Sequence, residues 1–302
     1  MNLERLYEIG DGSVEGRPVL VHALTGFIDA GEAGEGFAQQ LLSTLPHRTV
    51  ASFDVDQLID YRSRRPEVAF VEDHFEQYAA PELTLYAVRD DAGAEFLLLT
   101  GPEPDMQWER FAAAVRQLVD TFDVSLTVGV HGIPMTVPHT RPLGVTTHAT
   151  RAELVTTENP WHGEARMPSG AAVLLELRLG EWGHDAMGFA VHVPHYLAEN
   201  RYPEAIVELL QSVSRATGLL LPGGDLPEEI EYVRSLVDEQ VENSEAVRGV
   251  VQRLEAQYDG YYDSDSRTQL PVLRESLPSG DDLAAEAEQF LADLGNDDGE
   301  ER

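Results

Sequence analysis

The stretch Val19-Leu20-Val21-His22-Ala23-Leu24, running into Thr25-Gly26-Phe27-Ile28-Asp29-Ala30-Gly31, constrains this chain more than any other. A short apolar run ends in a glycine-punctuated turn, and the segment 37–42 behind it has helical character. A buried parallel strand feeds a crossover helix in this way, so the chain reads as α/β. Ligands and partners of open α/β sheets collect where the strands end, which makes residues 25–31 the first place to look for function.

Alternation of strand and helix continues down the chain. Residues 49–55 alternate in polarity as a strand does, and 83–88 and 95–100 flank a glycine-containing turn as a hairpin. Between them lies a polar stretch whose Arg62, Arg64 and Arg65 read as a solvated loop. Gly101-Pro102-Glu103-Pro104-Asp105 stops the hairpin. Asp105 is placed to cap a helix in which Trp108, Phe111, Val115, Leu118 and Phe122 recur at helical spacing. Residues 124–130 form a buried-strand run, 129–135 read as a turn, and Pro134, Pro138 and Pro142 make a stiff connection presenting Met135, His139, Thr140 and Arg141. A strand at 145–149, a helix capped by Ser169 and running to Leu179, a strand at 187–193 and an amphipathic helix at 202–219 complete the pattern. The expected architecture is a three-layer α/β/α sandwich over residues 1–222. Beyond Pro222-Gly223-Gly224 the apolar spacing changes to two helical faces broken at Asn243-Ser244, then a short helix capped by Ser279, giving a helical extension over 223–295 and an acidic tail over 296–302 expected to fray.

Composition closes off several chemistries. Cysteine is absent, which removes disulfides, thiolate catalysis and thiolate metal sites. All 21 basic residues are Arg, so Schiff-base and phosphate-loop lysines are excluded as well. A net charge of −33 disfavours nucleic acid and anionic membranes as partners. No apolar run is long enough to span a bilayer and residues 1–17 do not read as a signal peptide, so a cytoplasmic location is expected.

Gly26, Gly31, Gly34 and Gly36 do not match a dinucleotide or nucleotide-triphosphate fingerprint, and Asp29, Glu32 and Glu35 put negative charge where a phosphate would sit. Those acids read as partners of a helix dipole, and Gly31 and Gly34 as points of close helix approach. His131, His139, His148, His192 and His195 lack the helical pairing of a zinc protease, and no Gly-x-Ser-x-Gly elbow is present. No cofactor, metal or complete catalytic set is expected.

Gly26-Phe27-Ile28-Asp29-Ala30-Gly31, the Gly101-Pro102-Glu103-Pro104-Asp105 turn followed by Trp108, and Gly132-Ile133-Pro134-Met135 leading into Pro138-His139-Thr140-Arg141-Pro142 together resemble the actinobacterial branch of the proteasome assembly chaperone 2 family. Leu254-Glu255, Tyr258-Asp259 and the stretch from Leu277-Pro278 to Phe290-Leu291 are similar to that branch too. The resemblance implies a sandwich like that of nucleoside phosphorylases and hydrolases, self-association as a trimer, and a non-catalytic role in assembling proteasome subunits. Some archaeal relatives dock through a C-terminal hydrophobic residue, a tyrosine and one final residue. This chain ends Glu300-Glu301-Arg302, so that docking mode is not expected of it.

Two functions follow. The first is a chaperone-like interaction protein that forms homo-oligomers and engages proteasome subunits, with a strand-end crevice built from Thr25, Gly26, Asp29, Glu103, Asp105, His131, Met135, His139 and Arg141. The alternative is a nucleoside- or metabolite-binding protein or hydrolase-like enzyme in which Asp29, Glu103, Asp105, His131 and His139 converge in one pocket.

Overall fold

A computed structural model of the chain describes residues 6–10, 13–156 and 166–263. Its strands are β1 (Tyr7–Ile9), β2 (Val19–Thr25), β3 (His47–Phe53), β4 (Ala69–Val71), β5 (His74–Glu76), β6 (Thr84–Arg89), β7 (Glu95–Pro102), β8 (Leu126–Met135), β9 (Val145–Ala149) and β10 (Ala186–Pro194). The helices are α1 (Ala33–Thr44), α2 (Trp108–Thr121), α3 (Ala171–Glu181), α4 (Pro203–Thr217), α5 (Leu226–Asn243) and α6 (Glu245–Asp263). The helix expected after Ser279 and the acidic tail lie outside the described residues.

Among the described residues eight strands form one sheet in the order β1-β3-β6-β7-β2-β8-β10-β9, and β4 pairs with β5 in a separate hairpin. The four central strands, β7, β2, β8 and β10, are mutually parallel, and antiparallel strands flank them on both sides. Strand β10 is buried along its whole length, as a parallel strand covered on both faces must be. Alternation of side chains along β2 divides the core. Val21 and Ala23 face α1 and α4 with Phe37, Leu41, Ile206 and Leu209. Leu20 and Leu24 face α2 and α3 with Phe111, Val115, Leu118 and Leu175. The result is a central sheet flanked by helices, and α5 and α6 pack beyond α4.

Several local expectations need correction. Residues 129–135 are not a turn but the second half of β8. Their glycines serve close approach: a Cβ at Gly132 would lie 2.0 Å from the Ala30 carbonyl oxygen, and one at Gly129 would lie 2.7 Å from the His22 ring. Helix α1 starts at Ala33, four residues ahead of the expected segment, and at Gly34 a Cβ would come within 2.9 Å of the Val130 carbonyl of β8. Asp105 does not cap α2. Gln107, at φ 57°, holds the N-cap position without a side-chain bond to the free N–H groups of the helix start. Ser169 does not cap α3 either, because Gly170 is its N-cap and the Ser169 hydroxyl turns to the Gly170 carbonyl. The expected break between α5 and α6 falls at Ser244, in extended conformation.

Candidate functional site

Parallel alignment brings the carboxyl ends of β7, β2, β8 and β10 to one edge of the sheet, at Pro102, Thr25, Met135 and Pro194. The loop 26–32 leaves this edge from β2, and Asp29 fastens it. Its Oδ1 accepts the Gly34 N–H at 2.8 Å and the Gly132 N–H at 3.0 Å, while Oδ2 accepts the Glu35 N–H at 2.9 Å. One carboxylate therefore satisfies two free donors of the α1 start and one donor of β8. Burial raises the pKa of Asp29, against the downward pull of the three N–H groups.

Glu103 plays the matching role on the other side of β2. Its own N–H donates to the Thr25 carbonyl at 2.8 Å, one carboxylate oxygen accepts the Phe27 N–H at 3.2 Å, and the other accepts the Ala171 N–H at the start of α3. The side chain reaches there because Gly26 and Gly170 leave room: a Cβ at either would strike the carboxylate. Helix α3 is thus capped across the sheet by a residue 68 positions earlier in the chain.

Asp105 accepts the Asp60 N–H at 2.7 Å and pairs with Arg64. The Arg64 guanidinium also donates to the carbonyls of Thr25, at 3.3 Å, and Glu103, at 2.5 Å. Arg64 is half-buried under the strand ends, so the solvated-loop reading fails at this residue while Arg62 and Arg65 remain exposed. Thr25, Gly26, Glu103, Asp105 and Arg64 form one cluster, with Asp29 tied to β8 beside it.

The histidines lie elsewhere. His131 sits on the α3 side of the sheet with His22 of β2 and His148 of β9, and His148 bonds Glu176 of α3 at 2.9 Å. Glycines opposite them in register, Gly129 to His22 and Gly188 to His148, give the imidazoles their space. Burial pushes His22 and His131 down to about 4, so both rings are neutral at neutral pH. His139 lies beyond β8, against Tyr196 and near Asp238 of α5. Arg141 is gripped by α6, with Asp259 at 2.7 Å and Glu255 at 3.2 Å, and Thr140 donates to Glu255 at 2.6 Å. Met135, at the end of β8, is half-buried. Arg141 and Thr140 are therefore engaged within the chain, not presented by the proline-braced loop.

Asp29, Glu103, Asp105, His131 and His139 do not meet in one pocket. The three carboxylates are occupied by backbone N–H groups and Arg64, and the two imidazoles face different helices. Among the described residues no group of three or more His, Asp or Glu side chains is arranged to hold a metal ion. The strand-end edge carries apolar surface instead. Phe27, 65% exposed, stands on the β2–α1 loop with Ile28, and Met106 stands nearby in chain order after the Glu103–Asp105 turn.

The β4–β5 hairpin carries exposed apolar surface of its own, within the stretch that reads as polar in sequence. Phe70 and Phe75, 62% and 71% exposed, pair with each other at a centroid distance of 5.1 Å, and Val68, Val71 and Tyr78 are exposed around them. A signal was present in Val68-Ala69-Phe70-Val71, the polar pair Glu72-Asp73, and His74-Phe75. The neighbouring arginines obscured it.

No protein of curated function matches this chain. Among solved structures, a Mycobacterium tuberculosis protein of unknown function is 45% identical with a TM-score of 0.81, covering 86% of this chain and 90% of its own. A Corynebacterium glutamicum protein of unknown function is 39% identical with a TM-score of 0.83, covering 86% and 99%. A Mycobacterium tuberculosis proteasome-assembly chaperone homologue is 24% identical with a TM-score of 0.70, covering 77% and 99%, a likeness of fold. The PAC2 family model matches residues 23–241, a span that holds the whole strand-end edge, the Asp29 and Glu103 clamps and most of α5, and the chain belongs to the PAC2 family.

Proposed function

We propose that the protein is a chaperone-like interaction protein without chemistry of its own, acting in the cytoplasm as a homo-oligomer, with a trimer as the first state to test, and engaging proteasome subunits. In this reading the 1–222 sandwich carries the partner surface and the helices beyond it form an extension. The observation that carries the proposal is the exposed aromatic hairpin. A two-stranded hairpin is at best marginally stable alone in water, and one that leaves Phe70 and Phe75 more than half exposed gains most from a partner that covers it. The carboxylates at the strand ends support the same reading, because their oxygens are committed to holding loops in place. The solved chaperone homologue shares the fold and lends the proteasome as the partner to test.

Phe70→Asp combined with Phe75→Asp tests the proposal. Light scattering after size exclusion and capture of purified proteasome α and β subunits should both report loss of association, with the circular dichroism spectrum retained. Unchanged mass and unchanged capture in the double variant would exclude the hairpin as the partner surface.

A further inference from the structure

Between α4, α5 and the loop 139–143 runs an open groove of about 590 Å³, in the size range of binding clefts. Pro142, Leu143, Val207 and Ile230 give it apolar walls. Helix α6 braces it from behind. Glu255 and Asp259 grip Thr140 and Arg141, and the Tyr258 hydroxyl donates to the Pro142 carbonyl at 2.9 Å. A cleft held in shape before its ligand arrives loses little freedom on binding.

The charges around the groove are matched, with one exception. Glu204 is paired with Arg234 and Glu208 with Arg215. Arg141 is shared by two acids, Glu255 and Asp259. Asp238 of α5 lines the groove with its side chain 55% exposed, and among the described residues no arginine comes within ion-pair range of it. The site therefore carries an excess of negative charge and favours a cation.

Beside Asp238 lies a donor without an acceptor. His139 also lines the groove and is 7% exposed. Its backbone N–H donates to the Tyr196 hydroxyl at 2.9 Å, and the same hydroxyl lies 2.7 Å from Nδ1. The hydroxyl gives its own proton to Nδ1, which leaves the proton of the neutral ring on Nε2. That Nε2 is withdrawn from water and has no hydrogen-bond partner, and the Asp238 carboxylate lies 3.5 Å away, outside the range of a sound N–H···O bond. A buried donor left in this way is costly. One group answers both needs if it offers an oxygen to Nε2–H and a cationic nitrogen to Asp238. An α-amino carbonyl unit carries the two on neighbouring carbons and leaves its side chain for the apolar walls.

We propose that the groove takes the N-terminus of a partner polypeptide whose first side chain is aliphatic. The exposed Asp238 carboxylate swings aside from His139 to receive the ammonium, the first carbonyl oxygen accepts the Nε2–H, and the side chain lies against Leu143, Val207 and Ile230. Capture of a chain end is a recurring mode of peptide recognition. A free amino acid is disfavoured, because its own carboxylate adds negative charge to a site that already holds an excess. The groove shares no residue with the β4–β5 hairpin, so this proposal goes beyond the hairpin surface and does not rest on it.

The test is fluorescence anisotropy of the full chain with a synthetic hexapeptide that begins Leu-Val, has a free amine and carries a dye at its C-terminus. The same peptide N-acetylated, and leucinamide, are run beside it. Saturable binding of the free-amine peptide is expected, weakened about tenfold or more by acetylation and by Asp238→Asn, the worth of a hydrogen bond to a charged group. In Asp238→Asn the free and acetylated peptides should bind alike, and Val207→Arg should close the groove to both. In histidine-labelled protein the His139 Nε2–H resonance should move downfield as the peptide saturates, a readout that needs no substitution. The Phe70→Asp, Phe75→Asp variant should bind the peptide as wild type does, which keeps failure of the groove and failure of the hairpin apart. No saturable binding up to about 1 mM would overturn the proposal. Equal affinity of free and acetylated peptides for wild type would do the same, as would leucinamide binding as tightly as the peptide, which would assign the groove to a small amine.

Discussion

Replacing Asp29 by alanine removes the acceptor of three backbone N–H groups at once, those of Gly34, Glu35 and Gly132. Each donor left unsatisfied away from water costs about 1–3 kcal/mol. Because Asp29 is largely withdrawn from water, and because burial penalises its ionised form, part of that loss is offset by no longer holding a charge there. The net expected cost of Asp29→Ala is about 3–4 kcal/mol, a large share of the roughly 5–15 kcal/mol that keeps a domain folded. Asp29→Asn keeps one acceptor oxygen for Gly34 and Gly132 but turns an amide NH₂ toward the Glu35 N–H, so about 1–2 kcal/mol is expected. Urea unfolding at pH 7, followed by tryptophan fluorescence, should show the midpoint falling in the order wild type, Asn, Ala. With a slope of about 1–3 kcal/mol/M, the alanine shift is 1 M or more. Amide exchange adds a local readout, with loss of protection at Gly34, Glu35 and Gly132 and not in β6 or β7. An alanine variant within about 1 kcal/mol of wild type, or one in which those three amides stay protected, would refute the claim that this carboxylate joins α1 to β8.

Three further outcomes are expected. His22, His131 and His192 are held near 4 by burial, below the ordinary value of about 6.5, so the unfolded chain binds more protons between those limits and stability should fall as pH drops from 6.5 toward 4. At about 1.4 kcal/mol per pH unit for each group the three together give up to ~4 kcal/mol per unit, and a flat urea midpoint between pH 6.5 and 5 would contradict it. Glu103→Ala should cost about 2–4 kcal/mol and raise amide exchange at Ala171 and the first turn of α3, whereas exchange confined to the variant's own loop would count against the cross-sheet cap. Arg141→Ala should loosen α6, seen as faster proteolysis after residue 245 with the α1–α4 core still protected, and equal cleavage rates in wild type and variant would show the ion pairs to be incidental.

The central strands were legible because burial on both faces writes itself as an apolar run, as in Val19 to Leu24 and in 187–193. Helix α2 and helix α4 showed the same clarity, each with one wet face. What escaped was action across distance. Nothing in the order of residues tells that Glu103 caps a helix beginning at Ala171, that Arg64 lies beneath Thr25, or that α6 closes on Arg141. Those pairs exist only once the sheet has brought the segments together. Glycine misled for a related reason. At Gly129 and Gly132 it marks strand positions where a neighbouring ring or carbonyl comes too near for a side chain, and in sequence that is indistinguishable from a turn. Thr25, Gly26, Asp29 and Glu103 stand at the strand ends, but nearness along an edge does not make their acids available, because backbone N–H groups occupy them.

An aromatic arm on a chain of charge −33 sets two forces of different range against each other. Attraction between exposed rings acts only at contact, while repulsion between two such anions extends over a Debye length of about 8 Å at physiological ionic strength and about 30 Å at 0.01 M. In dilute buffer the molecules should keep each other at arm's length. As salt shortens the repulsion, the same surfaces become adhesive, and encounter turns selective for partners that bring positive charge to the approach. The acidity of the chain then acts as a filter on which proteins reach the hairpin at all, and the ionic strength of the medium sets how fine that filter is.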